Sequence, residues 1–332
     1  MISCLLFRRP FNDAGLGNAP TRAVSNAYAH GWHEHTIRVG GVQRWFRVYV
    51  PPQLPAHAPA VVLLHGGTQS MRKIFQRQAG GTRAWLDVAE TEGILLLVPN
   101  GTNPQTGDAE GDRQNWNDLR PNGSRRQTTA DDVGFIRGLL AWTREHFPID
   151  TNRISVTGAS NGGMMAFRLL LEMPHAFATA AAFIANLPET KIVLKPPEKA
   201  TPLLIANGTR DPLIRWEGGE IPGRAGRTLS TDATLAWWIK ANRADASKAA
   251  TDTLPNTDPN DGCRIHRTFY PALPGGAPVC FLKIEGGGHT VPSRDYGLPN
   301  RPLVRRWIGP VCRDAEGARL AWDFMKDKTR AP

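Results

Sequence analysis

The alternation of hydrophobic and polar positions changes period repeatedly along the chain. Around Gly40-Gly41, residues 35–39 and 43–50 are rich in β-branched and aromatic side chains, the pattern of a β-hairpin. Residues 60–64 and 94–98 are unbroken apolar runs bounded by Gly and Pro, which suits strands buried on both faces of a parallel sheet. Further strands are expected at 154–157, 176–184, 202–208, 267–270 and 279–284. Between them come apolar residues at helical spacing. An amphipathic stretch covers about 82–91, Val133, Ile136, Leu140 and Phe147 share one face, and Met165, Phe167, Leu169 and Leu171 follow. Leu235, Trp238 and Ile239 mark a later helix capped by Ser230, and Leu320, Ala321, Phe324 and Met325 a closing one capped by Asp314. Asp131 and Asp132 are assigned to helix capping and the helix dipole. Strands alternating with helices predict an α/β fold: a doubly wound, mostly parallel sheet in three αβα layers. One domain is expected over residues 31–332, with residues 1–30 an arm or leader remnant.

The stretch from Arg153 to Met165 concentrates the chemistry. A short apolar strand runs into Gly158-Ala159-Ser160-Asn161-Gly162, and a helical pattern follows at once. Strand, G-x-S-x-G, helix is the context of a nucleophile elbow. The glycines leave room for a tight turn, and a strained serine backbone pushes the hydroxyl outward.

Composition narrows the field only a little. The 332 residues allow a sizeable core, and the net charge of +10 comes from arginines scattered along the chain. No basic block or aromatic-interleaved basic motif suggests nucleic acid, so none is expected as a partner. The longest apolar run, 176–185, is too short to span a bilayer, so no membrane insertion is expected. Residues 1–7 are apolar but precede Arg8-Arg9, the wrong order for a signal peptide, so no export signal is visible. Cys4, Cys263, Cys280 and Cys312 lack metal-ligand spacing, and no metal or cofactor is implied. Cys4 lies in the arm; the other three leave open one disulfide plus a free thiol.

In doubly wound sheets ligands bind at the carboxyl ends of the strands. There the sequence places the His65-Gly66-Gly67 turn, Ser160, Asp211 and His289, in the chain order of an α/β-hydrolase. A serine hydroxyl is a weak nucleophile at neutral pH, so His289 is expected to take its proton, with Asp211 orienting the imidazole. A tetrahedral oxyanion needs two backbone donors, expected from Asn161 and from Gly67 or Thr68. His65 and Trp116 are candidates for contact with substrate, although His65 also suits a structural role in ordering the turn and Trp116 an anchor for the polar loop 100–130.

These motifs resemble the polyhydroxybutyrate depolymerase and feruloyl/acetylxylan esterase group, similar to carbohydrate esterase family 1. The matching pieces are Leu64-His65-Gly66-Gly67, the 131–136 segment beginning Asp131-Asp132-Val133, the 149–163 segment around Ser160, Asn207-Gly208-Thr209-Arg210-Asp211-Pro212, and Gly286-Gly287-Gly288-His289-Thr290. The resemblance spans about residues 35–328. It implies Ser160 as nucleophile, Asp211 as acid and His289 as base, acting on aromatic, acetyl-polysaccharide or polyester esters, and commonly outside the cell. Two positions depart from the group. Val291-Pro292-Ser293 stands where Trp-Pro-Gly is usual, and Asn242-Arg243 runs on without the expected cysteine. A serine peptidase of the same fold, and a non-catalytic binding protein built on it, are the other readings. The first would call for a site gripping a peptide amino terminus, and the second for a lost triad member; neither feature stands out.

Overall fold

A computed structural model describes residues 28–120, 127–190, 194–223, 225–299 and 301–330. Most of the arm read over residues 1–30 lies outside the described residues. β1 (Gly31–Val39) and β2 (Val42–Val50) pair antiparallel across Gly40-Gly41, both at positive φ as so tight a turn requires. β3 (Ala58–Leu64), α1 (Trp85–Glu92), β4 (Leu95–Pro99) and α2 (Asp132–His146) follow. Then come β5 (Ile149–Ala159), α3 (Asn161–Glu172), β6 (Thr179–Phe183) and β7 (Leu203–Gly208). A minimal pair, β8 (Gly219–Glu220) and β9 (Arg227–Thr228), precedes α4 (Thr231–Ala241). The chain closes through β10 (Ala250–Thr253), β11 (Arg264–Tyr270), β12 (Val279–Glu285), α5 (Pro302–Ile308) and α6 (Gly317–Met325).

Among the described residues, ten strands form one sheet in the order β1-β2-β4-β3-β5-β6-β7-β12-β11-β10. From β4 to β12 neighbouring strands run parallel, and both edges are antiparallel. The unbroken apolar strands are explained by where alternate residues go. Val62, Leu97, Val156, Ala182 and Ile205 join a core with α2, α3 and α4. Their neighbours Val61, Leu96, Ala181 and Leu204 join a second core with Trp85 and Val88 of α1 and Ala321 and Trp322 of α6. The sheet therefore lies between two helical layers, the expected αβα arrangement.

Several local expectations are corrected. The strand read over 176–184 is shorter, since Ala176 and Phe177 lie outside it in the turn that leaves α3. The helix read over 82–91 begins as a 3-10 segment, Arg77–Ala84, kinked where Gly80 takes φ 58°. Asp314 caps nothing: Glu316 holds the N-cap of α6, and the Asp314 carboxylate accepts the N–H groups of Thr257 and Asp258 instead. Ser230 does cap α4, accepting the Ala233 N–H at 3.0 Å. Asp131 caps α2 through the Gly134 N–H. Asp132 has a larger task, since its buried carboxylate pairs with buried Arg44 at 2.5 Å and accepts the Asn117 N–H at 2.7 Å. This pair ties β2, which lies between β1 and β4, and the polar loop after β4 to the start of α2.

Candidate active site

Ser160 sits between the end of β5 and the first turn of α3, with φ 57° and ψ −123°. That backbone region is costly for a side-chain-bearing residue and is held by packing on both sides. Gly162 lies against the carbonyls of Leu64 and His65 at the end of β3, and Gly158 against the backbone of Gly162. A Cβ at either position would collide with backbone, so the flanking glycines are required for the turn. The Ser160 N–H donates to the Phe183 carbonyl at 2.9 Å, fastening the turn to the end of β6.

Asp211 and His289 meet because β7 and β12 are parallel neighbours. Their carboxyl ends lie side by side, and the loops beyond them are laced together. Arg210 N–H donates to Gly287 O at 2.8 Å, and Gly286 N–H donates to the Thr209 hydroxyl at 2.8 Å. His289 Nδ1 then stands 2.7 Å from Asp211 Oδ2. The other oxygen of Asp211 accepts the N–H groups of Leu213 and Ile214 at 2.8 and 2.9 Å. One carboxylate thus serves both the turn and the imidazole. With the Asp211 side chain buried and Nδ1 held by it, the remaining ring nitrogen of His289 is left for other chemistry.

The turn after β3 faces the N-terminus of α3. The amide of Thr68 is engaged, donating to Asn115 Oδ1 at 2.9 Å, so Thr68 is removed as an oxyanion donor. Gly67 packs between Asn115 and Asn161, and among the described residues neither its N–H nor that of Asn161 has a protein acceptor. Both lie beside the positive end of α3, where an anion is favoured.

Of the two roles open to each of His65 and Trp116, contact with substrate is corrected and the structural one stands, since both side chains are wholly buried. His65 Nε2 accepts the Gly101 N–H at 3.0 Å, so its proton is on Nδ1, which donates to Gly66 O at 2.8 Å. Desolvation holds its pKa down at about 4, keeping it neutral. The indole N–H of Trp116 donates to His65 O at 2.9 Å, and its ring lies against the imidazole. The Asn161 side chain in turn accepts the Trp116 N–H at 2.7 Å and donates to Trp116 O and to Asp118 Oδ2. Buried Asp118 pairs with buried Arg120, which donates to Ala225 O. The polar loop read over 100–130 is therefore bound to the elbow by a buried network as far as Arg120; residues 121–126 lie outside the described residues. Asn115, Asp118 and Arg120 were not singled out from sequence. The one signal available was a Trp set among amides and acids in a loop.

Ser160, Gly67, Asn161 and His289 all line one cavity of about 480 Å³. Its remaining wall is mainly apolar, with Met164, Ile184, Ile214, Ile221, Val291 and Leu298 among the contributors. A second cavity, about 530 Å³, lies near β10 and α6 and contains none of these groups. Elsewhere, Cys263 and Cys312 are buried thiols with Asp261 beside them, the ligand atoms within 4.8 Å of one another, a set that could hold a metal ion. Cys280, also a free thiol, pairs with Phe269 at the far end of β11. Among the described residues no helix is long and apolar enough to cross a membrane.

The chain matches the esterase family model, described as "Putative esterase", over residues 41–266. It is 28% identical over 309 residues to "Putative esterase NocK" of Nocardia uniformis subsp. tsuyamanensis, covering 87% of this chain and 81% of that one. It is 23% identical to "Bifunctional acetylxylan esterase/xylanase XynS20E" of Neocallimastix patriciarum, over 84% of this chain and 36% of that longer protein. Among solved structures, "Acetyl xylan esterase from Aspergillus awamori" superposes with a TM-score of 0.52 at 16% identity, covering 83% of this chain and 98% of that one, a likeness of fold.

Proposed function

The chain belongs to the esterase family and is a carboxylic ester hydrolase, and we propose that it works as a serine esterase through an acyl-enzyme. In this reading His289 takes the Ser160 proton through Nε2 as the hydroxyl attacks the ester carbon. Asp211 keeps the imidazole in the tautomer that allows this and stabilises the imidazolium that forms. The N–H groups of Gly67 and Asn161 receive the oxyanion, each worth roughly 3–4 kcal/mol of transition-state stabilisation. The imidazolium then protonates the departing alkoxide. Water, deprotonated by the same ring, attacks the acyl carbon, and Ser160 is released with the acid.

What carries the reading is one juxtaposition: a serine at φ 57° on a strand-to-helix turn, sharing a cavity with an imidazole whose other nitrogen is 2.7 Å from a buried carboxylate. A cavity of about 480 Å³ with a mainly apolar wall has more room than an acetyl group uses and favours a bulkier ester. Aromatic acyl groups, as in feruloyl esters, and hydroxyalkanoate polyesters fit that description better than acetylated polysaccharide. The test is turnover of methyl ferulate, a polyhydroxybutyrate film and acetylated xylan by the wild type and by Ser160→Ala. Loss of all turnover in the variant supports the serine mechanism; equal rates in both would remove it. A wild type acting only on acetylated xylan would reverse the order of substrates.

A further inference from the structure

The apolar wall of the cavity continues past its mouth. α5 contributes Trp307 and Ile308 to the lining, yet Trp307 leaves 68% of its surface in solvent. Leu303, one turn earlier, is 69% exposed. Four residues apart, the two side chains share one face of the helix. No other large apolar side chain among the described residues is as exposed as these two. Apolar area kept in water beside a binding cavity marks a contact surface.

The last residue of this helix and the segment just after it are bonded to the loop that carries His289. Gly288 N–H donates to Pro310 O at 2.8 Å, and His289 N–H donates to Ile308 O at 2.5 Å. Gly288 is needed there because a Cβ would strike the Ile308 carbonyl. The indole is thus one residue from the carbonyl that holds the His289 backbone. An ester whose carbonyl carbon lies at Ser160 must send any arm too long for the cavity out through the mouth, past this rim.

We propose that Trp307, extended by Leu303, selects esters with a long apolar arm by covering the part of that arm that emerges from the cavity. The proposal rests on Ser160 being the nucleophile. The arm's chemistry follows from the surface: an indole and a leucine offer dispersion contact and dehydration. The exposed arginines Arg305 and Arg306 of α5, with Arg301 just before it, raise the one competing occupant, an anionic chain held by charge.

The experiment measures kcat/KM in a pH-stat for ethyl acetate, hexyl acetate and ethyl hexanoate, with the wild type, Trp307→Ala, Trp307→Phe and Leu303→Ser. The wild type is expected to prefer at least one hexyl-length arm over ethyl acetate. In Trp307→Ala that preference should fall about tenfold, mostly through KM, the loss expected when one large aromatic contact disappears. Trp307→Phe should keep most of the preference, and Leu303→Ser should lose part of it. Because both side chains are exposed, melting temperatures near the wild-type value are expected; if Trp307→Ala does not fold, the other two variants decide. An unchanged preference in Trp307→Ala, no preference in the wild type, or a preference that vanishes in about 0.5 M salt would overturn the proposal. Ethyl acetate turnover by Ser160→Ala at the wild-type rate would instead sink the serine reading beneath it.

Discussion

The two sides of the cavity are built in opposite ways. On one side, His65, Trp116, Asn161, Asp118 and Arg120 are buried, and their polar groups bond to one another or to backbone. On the other, α5 turns Leu303 and Trp307 to solvent, and backbone carbonyls at its end tie it to the loop that carries His289. A polar network in low dielectric is costly to leave half-made, so the first side is held to one geometry. The rim carries no such constraint and is free to differ without disturbing the turn that presents Ser160. Under the two proposals, reaction and selection of substrate fall to different materials: a buried network for the one, a surface helix for the other.

Asp211→Asn keeps an oxygen for the Leu213 and Ile214 N–H groups but loses the charge facing His289. It should fold normally while kcat falls about 10³- to 10⁴-fold, read in a steady-state ester assay. Asp118→Ala leaves the Arg120 guanidinium buried without its partner. Unfolding in urea should show a loss of about 3–5 kcal/mol, against almost none for Trp307→Ala. Equal losses in the two would erase the distinction between wall and rim.

His65 supplies a pH test. The folded ring takes up its proton only near pH 4, whereas the unfolded chain does so near 6.5. Between these values the unfolded state binds more protons, so stability is full above pH 6.5 and falls as the pH drops toward 4, by about 3 kcal/mol. Melting curves across that window should show a slope in the wild type that His65→Gln reduces. Asn115→Ala releases the Thr68 N–H and loosens the turn that carries Gly67. A fall in kcat of about tenfold with little change in KM is expected, since an oxyanion donor acts in the transition state. The smallest effect concerns backbone strain. At φ 57°, Ser160→Gly should be about 1 kcal/mol more stable than Ser160→Ala, measured by denaturant midpoints, while neither turns over ester.

The parts of this molecule legible from sequence are those specified locally. The apolar strands, the Gly40-Gly41 hairpin, the Ser230 cap and the elbow each follow from a few adjacent residues. The carboxyl-end positions of Ser160, Asp211 and His289 were legible for the same reason, because each follows a readable strand. What escaped depends on distant partners. Nothing beside Arg44 announces Asp132, and nothing beside Asn161 announces Asp118, although both pairs are buried. For His65 and Trp116 the sequence leaves contact with substrate and a structural role both open, because a histidine and a tryptophan in a polar stretch look available until the chain closes over them. β10 is exposed on every residue, and α5 shows its apolar residues to water, so neither carries the inward-facing period that marks an element.

Covalent trapping decides whether Ser160 is the residue that becomes acylated. The protein is incubated with phenylmethylsulfonyl fluoride, activity is followed, and the labelled peptide is located by mass spectrometry. One sulfonyl adduct on Ser160, formed in proportion to the loss of esterase activity and absent from Ser160→Ala, is the expected result. Full inactivation with the adduct on another residue, or a Ser160→Ala variant that still hydrolyses ester and is still inactivated, would contradict it.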